Sequence, residues 1–264
     1  MKDKLHVTLL QSNIHWEDPT ANCADLDALI AALHAPTDIL VLCEMFTTGF
    51  SMSPERIAEP MHDQMTTLNW MRKWAKQLDA CIAGSISVSE NGHYYNRLIW
   101  MFPDGLYQTY DKRHTFTFAG EDKVYTRGDQ KLIVEWKGWR IMPLICYDLR
   151  FPVWSKNRIT AQRADYDVLL YVANWPAVRR EPWSQLLIAR AIENQTYLAA
   201  VNRVGTDPSG LDYSGDSVIL DPRGQTLANA LPHSNAILTA QLDASALLHF
   251  REKFPVLGDD DDEI

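Results

Sequence analysis

Three residues far apart in the chain have the types and settings that acyl transfer needs: Glu44, Lys112 and Cys146. Each follows a stretch that reads as a strand, residues 38–42 before Cys43-Glu44, 106–110 before Asp111-Lys112, and 139–145 before Cys146. A side chain at the carboxyl end of a strand is rigidly held where open α/β layers place their ligands. A thiol attacks a carbonyl only as thiolate, so it needs a base within reach, and a partly desolvated carboxylate has that character. Glu44 could take the proton from Cys146 and hand it to a leaving amine. The negative charge left on the carbonyl oxygen needs fixed donors, which Lys112 and the backbone N–H of Tyr147 would supply. Water activated by the same Glu44 would then hydrolyse the thioester.

Taken singly, each residue has a plainer reading. Glu44 could cap a helix, Lys112 could pair with Asp111 or Glu121 at the surface, and a lone thiol beside a sheet is usually a small core hydrophobe. Spacing along the chain does not bring the three together.

The elements that must position them follow from pattern. Residues 5–11 alternate as a first strand, and Asp18-Pro19 opens a helix with Leu26, Leu29, Ile30 and Leu33 on one face. Residues 38–42 are continuously apolar, as in a strand buried on both sides. A helix over 64–78 precedes a strand over 80–88, and 96–102 with 106–110 bracket the turn Pro103-Asp104-Gly105. A polar loop holding Gly120-Glu121-Asp122 leads to a hairpin, 132–136 and 139–145, that delivers Cys146. Helices are expected over 152–161 and 182–195, strands over 167–172, 197–201, 217–220 and 236–241, and a short last helix capped by Asp243. Helices alternate with strands early and late while hairpins fill the middle, so the pattern predicts an α/β protein with a large mixed sheet or two stacked sheets and helices outside. With no repeat or linker, residues 1–258 read as one domain and 259–264 as an acidic tail.

Composition narrows the partners. The 264 residues are 46% hydrophobic and 22% charged, ordinary for a globular chain, and a net charge of -9 leaves no cationic excess for binding nucleic acid. The start lacks the apolar core of a signal peptide and no stretch is apolar enough to span a bilayer, so a cytoplasmic protein without membrane partner is expected. Cys23, Cys43, Cys81 and Cys146 lack metal-ligand spacing and read as reduced thiols.

The strings Leu42-Cys43-Glu44-Met45-Phe46, Tyr110-Asp111-Lys112-Arg113-His114 and Leu144-Ile145-Cys146-Tyr147-Asp148-Leu149-Arg150-Phe151-Pro152 resemble the signature of the nitrilase superfamily of carbon–nitrogen hydrolases. The resemblance extends through Ala173-Asn174-Trp175-Pro176, residues 189–195 and Asn202-Arg203-Val204-Gly205, and is nearest to the bacterial omega-amidase branch. It implies a four-layer αββα sandwich of two mixed sheets, usually dimerised through an outer helical layer, and a Glu-Lys-Cys triad with no metal or organic cofactor. It also implies that Glu121 is the second family glutamate, ordering the lysine and the substrate. One departure is Cys43, where the family commonly has proline.

The implied substrates are small 2-oxo dicarboxylic acid monoamides such as 2-oxoglutaramate, cleaved to the dicarboxylate and ammonia. Their remote carboxylate calls for a cation, for which Arg150 and Arg203 are the sequence's candidates, each equally suited to bridging loops. Trp175 would wall the acyl pocket. A nitrile or N-carbamoyl amino acid hydrolase would use the same triad, and a catalytically silent interaction scaffold would not need it.

Overall fold

Alternation along the strands decides the layers. Leu5, Val7 and Leu9 belong to one buried cluster and Leu10 to another; Ile39 and Val41 join the first and Leu40 the second; Leu98 and Trp100 divide in the same way from Ile99 and Met101. Successive side chains of a strand leave on opposite faces, so a sheet that is apolar on both must be covered on both. The computed structural model, which describes residues 1–259, meets this demand with two sheets packed face to face and helices outside each. Apart from Asp259, the acidic tail lies outside the described residues.

In chain order the strands are β1 (Lys4–Gln11), β2 (Ile39–Val41), β3 (Glu59–Pro60), β4 (Cys81–Glu90), β5 (His93–Met101), β6 (Tyr107–Asp111), β7 (Val134–Trp136), β8 (Trp139–Ile145), β9 (Ile159–Thr160), β10 (Arg163–Ala164), β11 (Val168–Ala173), β12 (Tyr197–Asn202), β13 (Val204–Thr206), β14 (Asp212–Ser214), β15 (Val218–Leu220), β16 (Thr226–Asn229) and β17 (Ala236–Asp243). The helices are α1 (Pro19–Ala31), α2 (Pro54–Ile57), α3 (Thr66–Leu78), α4 (Glu121–Val124), α5 (Pro152–Ser155), α6 (Arg180–Glu193) and α7 (Ala244–Lys253). The first sheet runs β17-β1-β2-β4-β5-β6, with β3 beside β4, and the second runs β16-β15-β12-β11-β8-β7. Within each, the central strands are parallel: β1, β2 and β4 in one, β8, β11 and β12 in the other. Parallel neighbours need crossover connections, which α1, α3 and α6 provide, with the segment carrying α5 joining β8 to β11. Helices α1 and α3 cover the first sheet through Leu26, Ile30, Leu68, Met71 and Trp74, and α6 packs Trp183, Leu187 and Ala191 into the other core. The layers are therefore α, β, β, α.

Local chemistry sets the boundaries. Asp18 caps α1 by accepting from the Ala21 N–H at 3.0 Å, with Pro19 at the first helical position, and Asp243 caps α7 through the Ala246 N–H at 3.0 Å. Two expectations need correction. The helix expected over 152–161 stops after the single turn Pro152–Ser155, because Asn157 is held by Asn194 and Tyr166 and the chain then reverses at Ala161 and Gln162 (φ 51° and 64°) to form β9 and β10. Strands β4 and β5 are longer than expected and join directly through Asn91-Gly92, both at positive φ, the arrangement of a two-residue hairpin turn.

Candidate active site

Both sheets contribute to one site, at the carboxyl ends of β2, β6, β8 and β11. Glu44 follows β2 in the first sheet, and Met45 turns the chain sharply at φ 44°. Lys112 follows β6 of the same sheet and is pinned by its N–H to the Asn96 carbonyl at 3.0 Å. Cys146 follows β8 in the second sheet at φ 45°, a left-handed conformation that a cysteine rarely adopts and that turns its side chain out of the strand. Asn174 follows β11, beside it.

These ends converge. Lys112 Nζ donates to Glu44 Oε1 at 2.8 Å and lies 2.9 Å from Glu121 Oε2, while Asn96 Nδ2 donates to Glu44 Oε1 at 2.8 Å and to Glu121 Oε1 at 3.1 Å. The Asn174 N–H donates to Glu44 Oε2 at 2.8 Å and its side-chain amide to the Glu44 carbonyl at 2.5 Å. The Cys146 thiol donates to the Asn174 carbonyl at 3.9 Å, close enough to Glu44 for the carboxylate to act on its charge. Glu44, Lys112 and Glu121 are all buried, so their charges are satisfied by one another and by neutral donors rather than by water. Glu121, not the exposed Asp122, reaches the lysine; it also accepts the Phe116 N–H at 2.5 Å.

The electrostatics follow from this packing. Burial pushes the Cys146 thiol well above its ordinary pKa and the Glu44 carboxylate adds to the shift, while Lys112 opposes it. Burial also works against the Lys112 ammonium, but Glu121 and Glu44 more than offset it and raise the lysine pKa, so the amine stays charged. Burial raises Glu121 as well, against the pull of Lys112. The resting site thus holds a protonated thiol against a carboxylate base.

A second network fixes the turn beneath the thiol. The buried Asp148 carboxylate accepts from Tyr110 Oη at 2.7 Å, from the Ile145 N–H at 3.0 Å, and from the His114 N–H and Nδ1 at 3.0 and 2.8 Å. One side chain therefore ties the Cys146 turn to the segment carrying Lys112. Sequence reasoning missed Asp148, Asn96 and Asn174 as parts of the site; for Asn96 and Asn174 the available signal was a polar residue within, or directly after, an apolar strand.

Above the thiol opens a cavity of about 600 Å³. Tyr147 and Trp175 both line it. Trp175 is buried, with its indole N–H donating to the Arg179 carbonyl at 2.7 Å and its ring 5.4 Å from that of Trp183. Arg150 lines the cavity but Arg203 does not: its guanidinium is fully buried, donates to the carbonyls of Val204 and Ile14, and lies 4.6 Å from the centre of the Tyr213 ring. Cys43 leaves Glu44 in place and donates its thiol to the Leu10 carbonyl at 3.6 Å; burial pushes that thiol up to about 12, so it is an unreactive neighbour.

The sequence pattern of the carbon–nitrogen hydrolase family matches residues 6–251. The chain belongs to that family. This carbon–nitrogen hydrolase is 46% identical to the omega-amidase YafV of Yersinia enterocolitica, over 97% of each chain, and 33% identical to a 2-oxoglutaramate amidase of Bacillus subtilis, again over 97% of each. A CN-hydrolase superfamily protein of Xanthomonas campestris, solved with an arsenic adduct in its active site, superposes with a TM-score of 0.95 at 42% identity, covering 99% of this chain and 98% of that one. These relatives put the chain in the omega-amidase branch of the nitrilase superfamily. Among the described residues, no helix is long and apolar enough to cross a membrane.

Proposed function

We propose that this hydrolase cleaves the terminal amide of small 2-oxo dicarboxylic acid monoamides, giving the dicarboxylate and ammonia, with Cys146 as nucleophile, Glu44 as general base and acid, and Lys112 as electrostatic stabiliser. The observation that carries the reading is the buried Glu44 carboxylate holding the Lys112 ammonium at 2.8 Å and acting on the charge of the Cys146 thiol, with Lys112 and Cys146 both lining one cavity. The names of the omega-amidase and 2-oxoglutaramate amidase relatives support the substrate class.

Glu44 takes the thiol proton as sulfur bonds to the amide carbon, and the carbonyl oxygen gains the negative charge. Lys112 Nζ and the Tyr147 N–H receive that oxyanion. Glu44 returns the proton to the nitrogen, the C–N bond breaks, ammonia departs and a thioester remains on Cys146. Water then gives a proton to Glu44 as it attacks, and the tetrahedral adduct expels the thiolate, which Glu44 reprotonates. Glu121 orders the lysine, and Trp175 walls the acyl group.

Ammonia release from 2-oxoglutaramate, succinamate, an N-carbamoyl amino acid and an aliphatic nitrile ranks the rivals: the first two should dominate, and activity confined to the nitrile would refute the assignment. Mass spectrometry with a slow amide should find the acyl group on Cys146, and Cys146→Ala should abolish turnover while the thermal transition stays cooperative. A silent scaffold would show neither adduct nor loss.

We also propose a cytoplasmic homodimer. Four unpaired thiols suit a reducing compartment. Val153 of α5, Ile192 of α6, and Phe254 and Val256 after α7 are large apolar side chains left exposed, and Val153, Glu193 and Val256 share one shallow groove.

A further inference from the structure

The cavity above the thiol carries two guanidinium groups with no acid to hold them. Arg150 and Arg179 both line it, both are part-buried, and among the described residues neither makes an ion pair. Both residues adjoin Trp175, Arg150 through its guanidinium and Arg179 through its backbone. The Arg150 Cζ lies 4.9 Å from the centre of the Trp175 ring, and the Trp175 indole N–H holds the Arg179 carbonyl at 2.7 Å. The Arg179 guanidinium is flanked by aromatic rings, with its Cζ 5.5 Å from Phe116 and 5.8 Å from Phe118.

Aromatic faces support a cation without neutralising it, and they hold water away from it. The charge therefore remains available to an anion that enters the cavity. The one carboxylate among the described residues that lines the same space, Asp207, is already engaged: its Oδ1 accepts from the Ser209 N–H, Ser209 Oγ and the Leu211 N–H at 2.9, 2.6 and 3.0 Å, and its Oδ2 from Tyr213 Oη at 3.2 Å. Lys112 is committed to Glu44 and Glu121 on the floor. The unpaired positive charge of the cavity sits on Arg150 and Arg179.

We infer that Arg179, seconded by Arg150, forms the subsite that grips the carboxylate end of the substrate, so that preference for omega-amides over neutral amides is set at the Trp175 wall. The inference rests on the amidase reading above and adds to it the residues that choose the substrate. Two planar forks lining one cavity also suit a 2-oxo acid, whose carboxylate and adjacent oxo group together present three acceptors; one fork would take the carboxylate side-on and the other the oxo oxygen.

The test compares succinamate with butyramide, in which a methyl group replaces the carboxylate. The readout is the ratio of their kcat/KM values, which does not depend on how much of a variant is active. Arg179→Gln should lower that ratio about 100-fold, the loss falling on KM for succinamate, because a charge-assisted pair is removed. Arg179→Lys should recover part of it, since a point charge replaces a fork, and Arg150→Gln should shift it in the same direction as Arg179→Gln. A wild-type ratio that favours succinamate and survives in both glutamine variants overturns the subsite and leaves the omega-amide reading standing. A wild-type enzyme with no preference for succinamate overturns both.

Discussion

At the scale of single residues, the site works by making a thiol wait. Cys146 is held protonated by burial and by the carboxylate that will deprotonate it, so its reactivity is released only when a substrate carbonyl offers somewhere for the charge to go. In the free enzyme, alkylation by iodoacetamide should therefore stay slow at neutral pH and keep rising above the ordinary thiol range near pH 8–9. Glu44→Gln removes the neighbouring anion, which lowers the thiol pKa and moves that alkylation profile to lower pH. Amide turnover should fall by about 10²–10⁴-fold in the same variant, because the proton shuttle is gone. Parallel profiles for the two proteins would show that Glu44 does not act on the thiol. The residue types were legible in the sequence, but their meeting was not: Glu44, Lys112 and Cys146 are brought together by strand ends of two sheets, and no local pattern encodes that distance. Arg179 was hidden for a similar reason, since in the string Val178-Arg179-Arg180 it reads as surface charge until the Trp175 indole is seen to anchor it.

At the scale of elements, the strands were the readable part and the turns were not. Continuous apolar runs announced β2 and β11 because burial on both faces leaves no room for polar residues. The chain reversal at Ala161-Gln162 was not legible, because neither residue advertises the positive φ that both adopt. Loop seating matters as much as strand order for the lysine. Gly128 donates its N–H to the Lys112 carbonyl at 2.9 Å, and a Cβ added there would lie 2.3 Å from the Asp111 carbonyl oxygen, so only glycine lets this loop lie against the end of β6. Gly128→Ala should push the two segments apart, costing about 1–3 kcal/mol of stability and lowering kcat through displacement of Lys112; a denaturant titration alongside steady-state kinetics checks both. Loss of stability with unchanged kcat would mean that the loop only fills space.

At the scale of the whole molecule, the exposed apolar side chains on α5, α6 and the segment after α7 predict self-association. Sedimentation should return twice the 30.1 kDa chain mass. Placing charge there, with Val153→Asp and Ile192→Asp together, should yield the single-chain mass, because a buried interface does not tolerate unpaired carboxylates. A wild-type protein sedimenting as one chain would discard the dimer.

Glu44, Lys112 and Glu121 all come from the half of the chain before the exposed segment 129–131, while Cys146, Asn174, Trp175 and Arg179 come from the half after it. Division there would give one fragment with the proton carrier and another with the sulfur, each inert alone. Recovered ammonia production on mixing them would make the protein a split reporter whose signal registers the docking of one β-layer on the other, and failure to recover any would mean that β17, which pairs with β1 from across the cut, must be joined covalently to fold.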